Sequence, residues 1–334
     1  MARVSYLIKR VFSMNFHQIR EKVKEVRQKS SKSSVSILFD MLVCGIRYQA
    51  GYTDYALFEM YNLNTAQRKT VVTRGINNSF VKRFNNPAFT PCFEDKRKFN
   101  RKFALFLHRD WIDIERADRK ALEEFLSKNP QFIAKPAKGM CGKGIEKLSF
   151  SDFESLDALC DYLKENSLLL LEQIIVQNKV MSELHPYAVN TIRVITLRKD
   201  DRTHVVAAYL RIGNGKHVDN FNSGGMVVPV EEDRGEVIYP ALDKKGEIYD
   251  KHPLTKVSIK GFKIPMWKEI IELVKIAGSV VPEVGLVGWD VALTDKGPLI
   301  IEGNDFPGHD IYGLAPHRKD GIGVLPKFLK IINS

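Results

Sequence analysis

Three oxygen-bearing side chains near the end of the sequence suit a divalent cation: Asp290, Glu302 and Asn304, within "GWDVALTDKGPLIIEGN". Read as a strand pair, the segment puts Asp290 at the end of "GLVGWD" and Glu302 at the end of "PLII". Asn304 follows two residues later, on the same strand face as Glu302. Such hard donors match Mg2+, which takes about six oxygens at roughly 2.0–2.1 Å and keeps phosphate oxygens among them. The plainer alternative is a pair of solvated carboxylates on an edge hairpin, which fits the apolar flanks poorly. A companion anion site is legible in "QFIAKPAKGMCGKGIEKLSF", positions 131–150. There a strand ending in Lys135 enters a loop carrying Gly139, Gly142 and Gly144 and leaves through a second strand. Glycines let backbone amides approach a phosphate closely and adopt positive φ. No G-K-[ST] follows and the exit reads as strand, so this is not a Walker A loop; G-x-G-x-x-G is also absent, so nothing supports a dinucleotide fold. An ordinary hairpin with a long turn would show the same glycines. A third motif, "SLLLLEQII" at 167–175, ends a buried strand on Glu172. One acceptor together with the backbone of Gln173 and Ile174 would read an adenine edge, although a strand-end Glu is also commonly just solvated.

These residues need a scaffold, and 334 residues with 44% hydrophobic content can bury a full core. The pattern predicts a soluble globular protein of one large domain or two to three lobes. The best apolar run, "SVSILFDMLVCGIRY", is interrupted by Asp40 and Arg47, short of the roughly 18–20 residues a spanning helix needs. Lys9 and Arg10 cut the opening apolar stretch, and no small-residue cleavage site follows, which argues against a signal peptide. Cys44, Cys92, Cys141 and Cys160 show no metal-ligand or redox spacing, as expected in a reducing cytoplasm, and Cys141 reads as a bystander in the glycine loop.

The net charge of +11 is mostly local, because residues 1–35 carry nine Lys/Arg against Glu21 and Glu25. No nucleic-acid signature accompanies it. Val4, Leu7, Ile8, Val11, Phe12, Phe16 and Ile19 fall roughly at helical spacing, followed by a linker-like "RQKSSKSS". This opening fits a helix docked on its own domain or one lying on an anionic membrane. From 35 to 90 the pattern is helical, with Asn-Thr capping "TAQRKTVVTRGINNSFVKRF"; "EDKRKFNRKFALFLHRDW" and "DRKALEEFLSKN" then predict two charged helices.

In this order, the three motifs resemble the ATP-grasp enzymes over about residues 90–334, and D-x(11)-E-x-N resembles the metal triad of peptide-type glutamate ligases. More narrowly, "HPYAVNTIRVIT", "LRIGNGKHVDNFNSGG" and "GWDVALTDKGPLIIEGN" are similar to the sugar-transfer-associated ATP-grasp subgroup. That subgroup is related to alpha-L-glutamate ligases and is met among bacterial surface-polysaccharide genes. The likeness extends upstream into "GYTDYALFEMY". It implies an α+β ATP-grasp fold, two α+β lobes clasping ATP, preceded by a helical N-terminal region. Residues 1–34 would form a basic amphipathic segment and linker, 35–90 a helical region and 91–334 the ATP-grasp domain; within it 131–172 would be the small lobe with its glycine-rich lid and 173–334 the large lobe with the metal site.

By the same resemblance, ATP meets Lys96, Lys135, Gly139, Gly142, Lys143, Gly144, Glu172, Gln173 and Ile174, with Lys98 and Lys102 leaving the register of the first lysine open. "VQNKVMSELHPYAV" departs from the shorter glutamate ligases, so Glu183 is the expected ribose contact, with Asn190 next. Lys135, Arg193 and Arg211 take the catalytic roles, and Arg211, Asn220, Ser223, Gly224 and Gly225 the second substrate. Arginine forks suit planar carboxylates and phosphates, although Arg193, between Ile192 and Val194, also fits a strand salt bridge. His185 and His252, each before proline, fit the acceptor pocket or ordinary loop structure. Asp290, Glu302 and Asn304 hold one or two Mg2+ ions, with Mn2+ able to substitute. The implied reaction is carboxylate–amine ligation through an acyl phosphate, on an amine-bearing acceptor such as a sugar or polysaccharide precursor, in the cytoplasm and peripherally at the inner membrane face through residues 1–34. A kinase phosphorylating a hydroxyl, and a non-catalytic nucleotide sensor or scaffold, remain the alternatives.

Overall fold

Helices dominate the first part of the computed structural model, which describes residues 16–139, 144–215, 219, 221 and 224–334. The chain forms two compact units: one holds the chain up to Phe80 together with Gly308–Leu329, the other Val81–Pro307 with Lys330–Ser334. Assignment of Gly308–Leu329 to the first unit differs from the continuous 91–334 domain read from sequence.

In the first unit, α1 (Phe16–Lys29) buries Ile19, Val23 and Val26, and α2 (Ser34–Tyr48) buries Ile37, Met41, Cys44 and Tyr48. Residues 1–15, including the predicted contacts Val4 to Phe12, lie outside the described residues. The expected linker is shorter than "RQKSSKSS", since α1 runs to Lys29 and Ser33 caps α2 by accepting the Ser36 amide at 3.3 Å. Asn64 caps a short helix, Thr65–Arg68, in a reciprocal box with Gln67 at 2.9 Å each way. The single helix predicted here breaks, resuming at Arg74–Phe84. Asp40 on α2 takes both prongs of the Arg68 fork at 2.6 and 2.7 Å and the Tyr55 hydroxyl at 2.7 Å. Burial alone would raise the Asp40 carboxyl, and the Arg68 and Tyr55 hydrogen bonds outweigh that and hold it below its ordinary 3.8. A carboxylate lowered on folding adds stability above its unfolded pKa and loses it as pH falls through the folded value. Acid melts are therefore expected to show unit stability flat from neutrality to about pH 5 and falling below about pH 4. The fall should be shallower in Asp40→Asn, and identical acid profiles would show that other carboxylates dominate.

The second unit contains two antiparallel sheets. The smaller has the order β1-β4-β2-β3, from β1 (Trp111–Asp113), β2 (Gln131–Lys135), β3 (Glu146–Ser149) and β4 (Leu170–Gln173). Two helices, Arg119–Lys128 and Leu156–Glu165, bury Leu122, Phe125, Leu159 and Leu163 against Phe132, Ala134 and Leu171. Because strand side chains alternate, Lys135 and Glu172 fall on the opposite face from that core. "EDKRKFNRKFALFLHRDW" is not one helix. Lys96–Lys102, here α3, and Ala104–Leu107 end at His108, whose φ of 44° turns the chain into β1.

The larger sheet runs β10-β9-β7-β6-β5-β11-β12, with β8 on β7. Its members are β5 (Thr191–Lys199), β6 (Arg202–Ile212), β7 (Met226–Glu231), β8 (Glu236–Val237), β9 (Ala241–Asp243), β10 (Ile248–Tyr249), β11 (Leu286–Thr294) and β12 (Gly297–Asn304). One face carries Ile192, Val194, Leu210, Val287, Trp289, Val291 and Ile300, packed with the helix Trp267–Ala277. Phe93, Phe99 and Phe103 cluster on Trp289, the Phe103 ring edge-on at 5.4 Å, which fixes the α3 segment against β11 and β12. The period-2 alternation sends Arg193, Arg211 and Asp290 to the other face.

Candidate functional site

Arg193, Asp290 and Glu302 form one cross-strand row, since Asp290 of β11 pairs directly with Arg193 on β5 and with Glu302 on β12. Directly paired residues share a face. A bulge makes this possible. Val291 pairs with Ile300 and Asp290 with Glu302, so Ile301 is an extra residue on β12. Without it, Ile300 and Glu302 would share a face; with it, Ile300 packs in the core and Glu302 joins Asp290. Asn304 pairs with Gly288 and donates to the Gly288 carbonyl at 3.3 Å.

Asp290 is 2% exposed and is held by the Arg193 fork, through Nε to Oδ1 and through Nη2 to Oδ2 at 2.9 Å. Arg211 adds an ion pair at 3.3 Å. Burial would raise the Asp290 carboxyl, and the two guanidinium groups outweigh it and lower it. Glu302 is pushed the other way, by burial and by the Asp290 charge, with Arg193, Lys96 and Lys135 opposing. The row is thus a carboxylate pair, Asp290 buried and Glu302 partly buried, surrounded by cations.

Arg211 is also tied to Asp219 at 3.2 Å and, through Nε, to the Thr191 hydroxyl at 3.0 Å. Asp219 in turn accepts from the Thr191 amide at 2.9 Å and from its hydroxyl. Asp219 therefore anchors the start of the loop expected to meet the second substrate. At the loop's far end a Cβ on Gly225 would lie 2.1 Å from the Asp219 carbonyl oxygen, so only glycine fits there. Gly224 has a φ of 104°. Asn220 and Ser223 lie outside the described residues, as do Gly142 and Lys143 of the lid.

Of the three lysines that the sequence left open, Lys96 is the one in contact with the glycine loop. Its ammonium donates to the Gly139 carbonyl at 2.7 Å and its amide to Ala137 at 2.8 Å, whereas Lys98 and Lys102 are exposed. Burial holds Lys96 below its ordinary range, with the Lys135 charge adding to this and Glu302 and Glu172 opposing. Gly139 adopts a φ of 142° and Gly144 one of 71°, so both lid ends use glycine backbone geometry. Lys96→Ala is expected to weaken ATP binding by about tenfold or more, on the scale of one desolvated charge-assisted contact, and Lys98→Ala and Lys102→Ala to leave it unchanged. Calorimetric titration of the three variants checks this, and equal losses in all three would make the effect one of net charge.

Glu172 and Asn190 are both engaged by protein partners. Glu172 was expected to offer a free acceptor to adenine. Instead its buried carboxylate accepts from Lys135 at 2.5 Å, Arg109 at 2.9 Å and Asn100 at 2.7 Å. Burial would raise it, and the Arg109 and Lys135 charges hold it well below the carboxylate range. The Gln173 amide is likewise committed, to the Asp110 carbonyl at 2.9 Å. Asn190 is fully buried, donating to Gln177, the Met181 carbonyl and the His185 carbonyl and accepting from Gly213, so it structures its loop. Glu183 is exposed on the helix Lys179–Leu184, and no hydrogen bond or ion pair among the described residues draws it to the cluster. His252 donates from Nε2 to the Gly213 carbonyl at 2.8 Å while its Nδ1 accepts from the Leu254 and Thr255 amides, and its ring lies 5.2 Å from His185, so both histidines are structural members of this loop.

Arg109 was missed altogether. Its buried side chain donates to the Ile300 carbonyl at 2.7 Å, the Ile301 carbonyl at 3.3 Å and Glu172. It thereby ties the β12 bulge to β4, while His108 contacts the Pro298 carbonyl at 3.1 Å on the same strand. Both residues cover backbone on β12, the terminal strand of its sheet. The available sign in the sequence was two polar residues closing the apolar run "FALFL".

Within this cluster the donor set fits Mg2+. Asp290, Glu302 and Asn304, two carboxylates and one amide, would leave coordination places for phosphate and water, as Mg2+ sites do. A family model described as sugar-transfer associated ATP-grasp matches residues 75–319. The chain belongs to that family. The matched segment contains every charged member of the cluster and begins after "GYTDYALFEMY", so the likeness expected that far upstream falls outside it. This ATP-grasp protein finds no match among curated proteins. Among solved structures it is similar to the ATP-grasp ligase PsnB with minimal precursor, Mg and ADP, at 14% identity over 73% of this chain and 61% of that one, TM-score 0.39. It is also similar to D-alanyl-alanine synthetase A from Vibrio cholerae, at 12% identity, 74% and 62% coverage and TM-score 0.44, and to L-amino acid ligase from Bacillus licheniformis, at 13%, 64% and 41% and TM-score 0.39. The chain thus spans less than two thirds of the length of each.

Proposed function

We propose that this ATP-grasp protein is an ATP-dependent ligase that joins a small-molecule carboxylate to an amine, borne by a sugar or a cell-surface polysaccharide precursor, in the cytoplasm at the inner membrane face. The observation that supports it most is the row Arg193–Asp290–Glu302 with Lys96 and Lys135 close enough to influence Glu302. Four cations around two paired carboxylates suit a polyphosphate and its counter-ion, because phosphoryl transfer is driven by positioning and charge neutralisation. Asp290, Glu302 and Asn304 would hold Mg2+, one or two ions with Mn2+ as a substitute, and the ion would supply charge neutralisation at the transferring phosphoryl group.

The chain's own residues carry the remaining work. Lys96, on the lid end at Gly139, and Lys135, released from Glu172, bind phosphate oxygens. Arg193 and Arg211 orient the incoming carboxylate, whose oxygen attacks the γ-phosphorus as the bond to ADP breaks. The amine nitrogen then attacks the acyl carbon, phosphate leaves and the amine proton passes to solvent. The loop held between Asp219 and Gly225 positions the acceptor. The test is ADP release with ATP and Mg2+ across pools of amino acids, other carboxylates and amino sugars, with mass spectrometry of each positive pool. A product lighter by water than acid plus amine supports ligation. A phosphorylated single substrate would replace this reading with a kinase, and ATP binding with no turnover in any pool would replace it with a nucleotide-binding scaffold.

A further inference from the structure

The outward side of α2 is apolar. Val35, Leu38, Phe39, Leu42 and Ile46 are 79%, 43%, 68%, 44% and 66% exposed, on the opposite side of the helix from the buried Ile37, Met41, Cys44 and Tyr48. Their spacing of three and four residues makes one stripe about 16 Å long. A helix apolar on both sides is ordinarily enclosed, and a contiguous exposed patch of large side chains marks a contact surface. We propose that this face of α2 docks on an anionic lipid surface, an inference that rests on the membrane-face placement in the reading above and moves the contact from the opening residues to α2. On α1, Ile19, Val23 and Val26 are buried within the protein and are not available to lipid, which leaves only Phe16, at its first position, exposed.

Charge complementarity selects this occupant. Nine Lys/Arg stand against two acids in residues 1–35, and Arg47 lies beside the stripe in sequence, whereas Lys29 and Lys32 are engaged by Glu25 at 3.6 Å and by the Tyr61 carbonyl at 2.8 Å. The acids of the two helices are already neutralised. Glu21 pairs with Lys24 at 2.9 Å, Glu25 with Lys22 at 2.6 Å, and Asp40 with Arg68. A net-basic segment that adjoins an apolar helical stripe in sequence matches anionic headgroups over acyl chains. A second copy of the chain fits less well, since a stable protein interface takes about 20–30 residues a side and this stripe offers five. No helix among the described residues is long and apolar enough to span a bilayer, so the contact is peripheral.

The experiment is flotation of the full chain with phosphatidylcholine vesicles and with vesicles containing phosphatidylglycerol, at low and high salt. The wild type should float with the anionic vesicles only, and less at high salt. Phe39→Glu/Leu42→Glu and the milder Phe39→Ser/Leu42→Ser should each lower recovery by about tenfold, with unchanged thermal melts because both sites are exposed. Recovery equal to wild type in both pairs overturns the proposal, as does equal flotation on neutral vesicles. A wild-type dimer that both pairs convert to monomer, by light scattering, would assign the face to a second copy instead. No nucleotide is present, so failure here leaves the ligase reading standing; a chain that floats but turns over no substrate would leave the lipid contact standing.

Discussion

Glu302→Gln is expected to lower ADP release by more than about 100-fold, beyond what losing an outer partner of a metal ligand typically costs, while leaving the melting temperature unchanged or about 1–3 °C higher. The two halves of this expectation come from one geometry. Glu302 lies directly across the sheet from Asp290, Asp290 is buried and Glu302 partly so, and only Asp290 is held by the Arg193 fork. Like charges placed opposite one another on a sheet are destabilising, and the amide keeps the shape while removing one charge. Turnover should fall because an amide is a weaker donor to a hard cation than a carboxylate. Asp290→Asn is the contrast. It leaves Arg193 and Arg211 without their shared carboxylate, so both activity and melting temperature should drop. Magnesium-dependent turnover retained in Glu302→Gln would falsify the metal assignment. A melting temperature that fell along with activity would make Glu302 a structural member of the ion-pair row.

The carboxylates themselves were legible, because a strand reading of "GWD" and "IIEGN" already places acids inside apolar sequence. What aims Glu302 was not legible. By simple alternation Ile300 and Glu302 share a face, and only the register of β12 on β11 shows that Ile301 is an extra residue. Glu172 shows the same limit from the other side. The end of an apolar strand is visible in sequence, but the three donors that occupy its carboxylate come from positions 37, 63 and 72 residues away. Lys96 could be placed on a helix, but only its reach to Gly139 distinguishes it from Lys98 and Lys102. The helices of the first unit were readable from periodicity, whereas the exposed stripe on α2 was not, since an apolar helix looks the same in sequence whether one side or both are covered.

Arg109→Met is expected to destabilise the second unit by about 3–5 kcal/mol, the cost of breaking a buried ion pair from one side. That corresponds to a melting temperature lower by on the order of 10 °C. The side chain is 2% exposed, so its charge is little screened. Its removal strips Glu172 of one of three donors and leaves the Ile300 and Ile301 carbonyls without their partner. Arg109→Lys should recover only part of the loss: an ammonium can serve Glu172 as a point charge, but it lacks the planar fork that reaches the carboxylate and two carbonyls together. Those carbonyls belong to the bulge that turns Glu302 toward Asp290. Loss of turnover should therefore exceed loss of folded protein when kcat is measured well below the melting temperature. ATP affinity without Mg2+ should change less than kcat, because Lys96 and the lid are untouched. An Arg109→Met protein that melts with the wild type and retains its kcat would show that strand pairing alone holds the bulge. A stability loss with full kcat in the remaining folded protein would confine Arg109 to holding β4 and β12 together, with no influence on where Glu302 points.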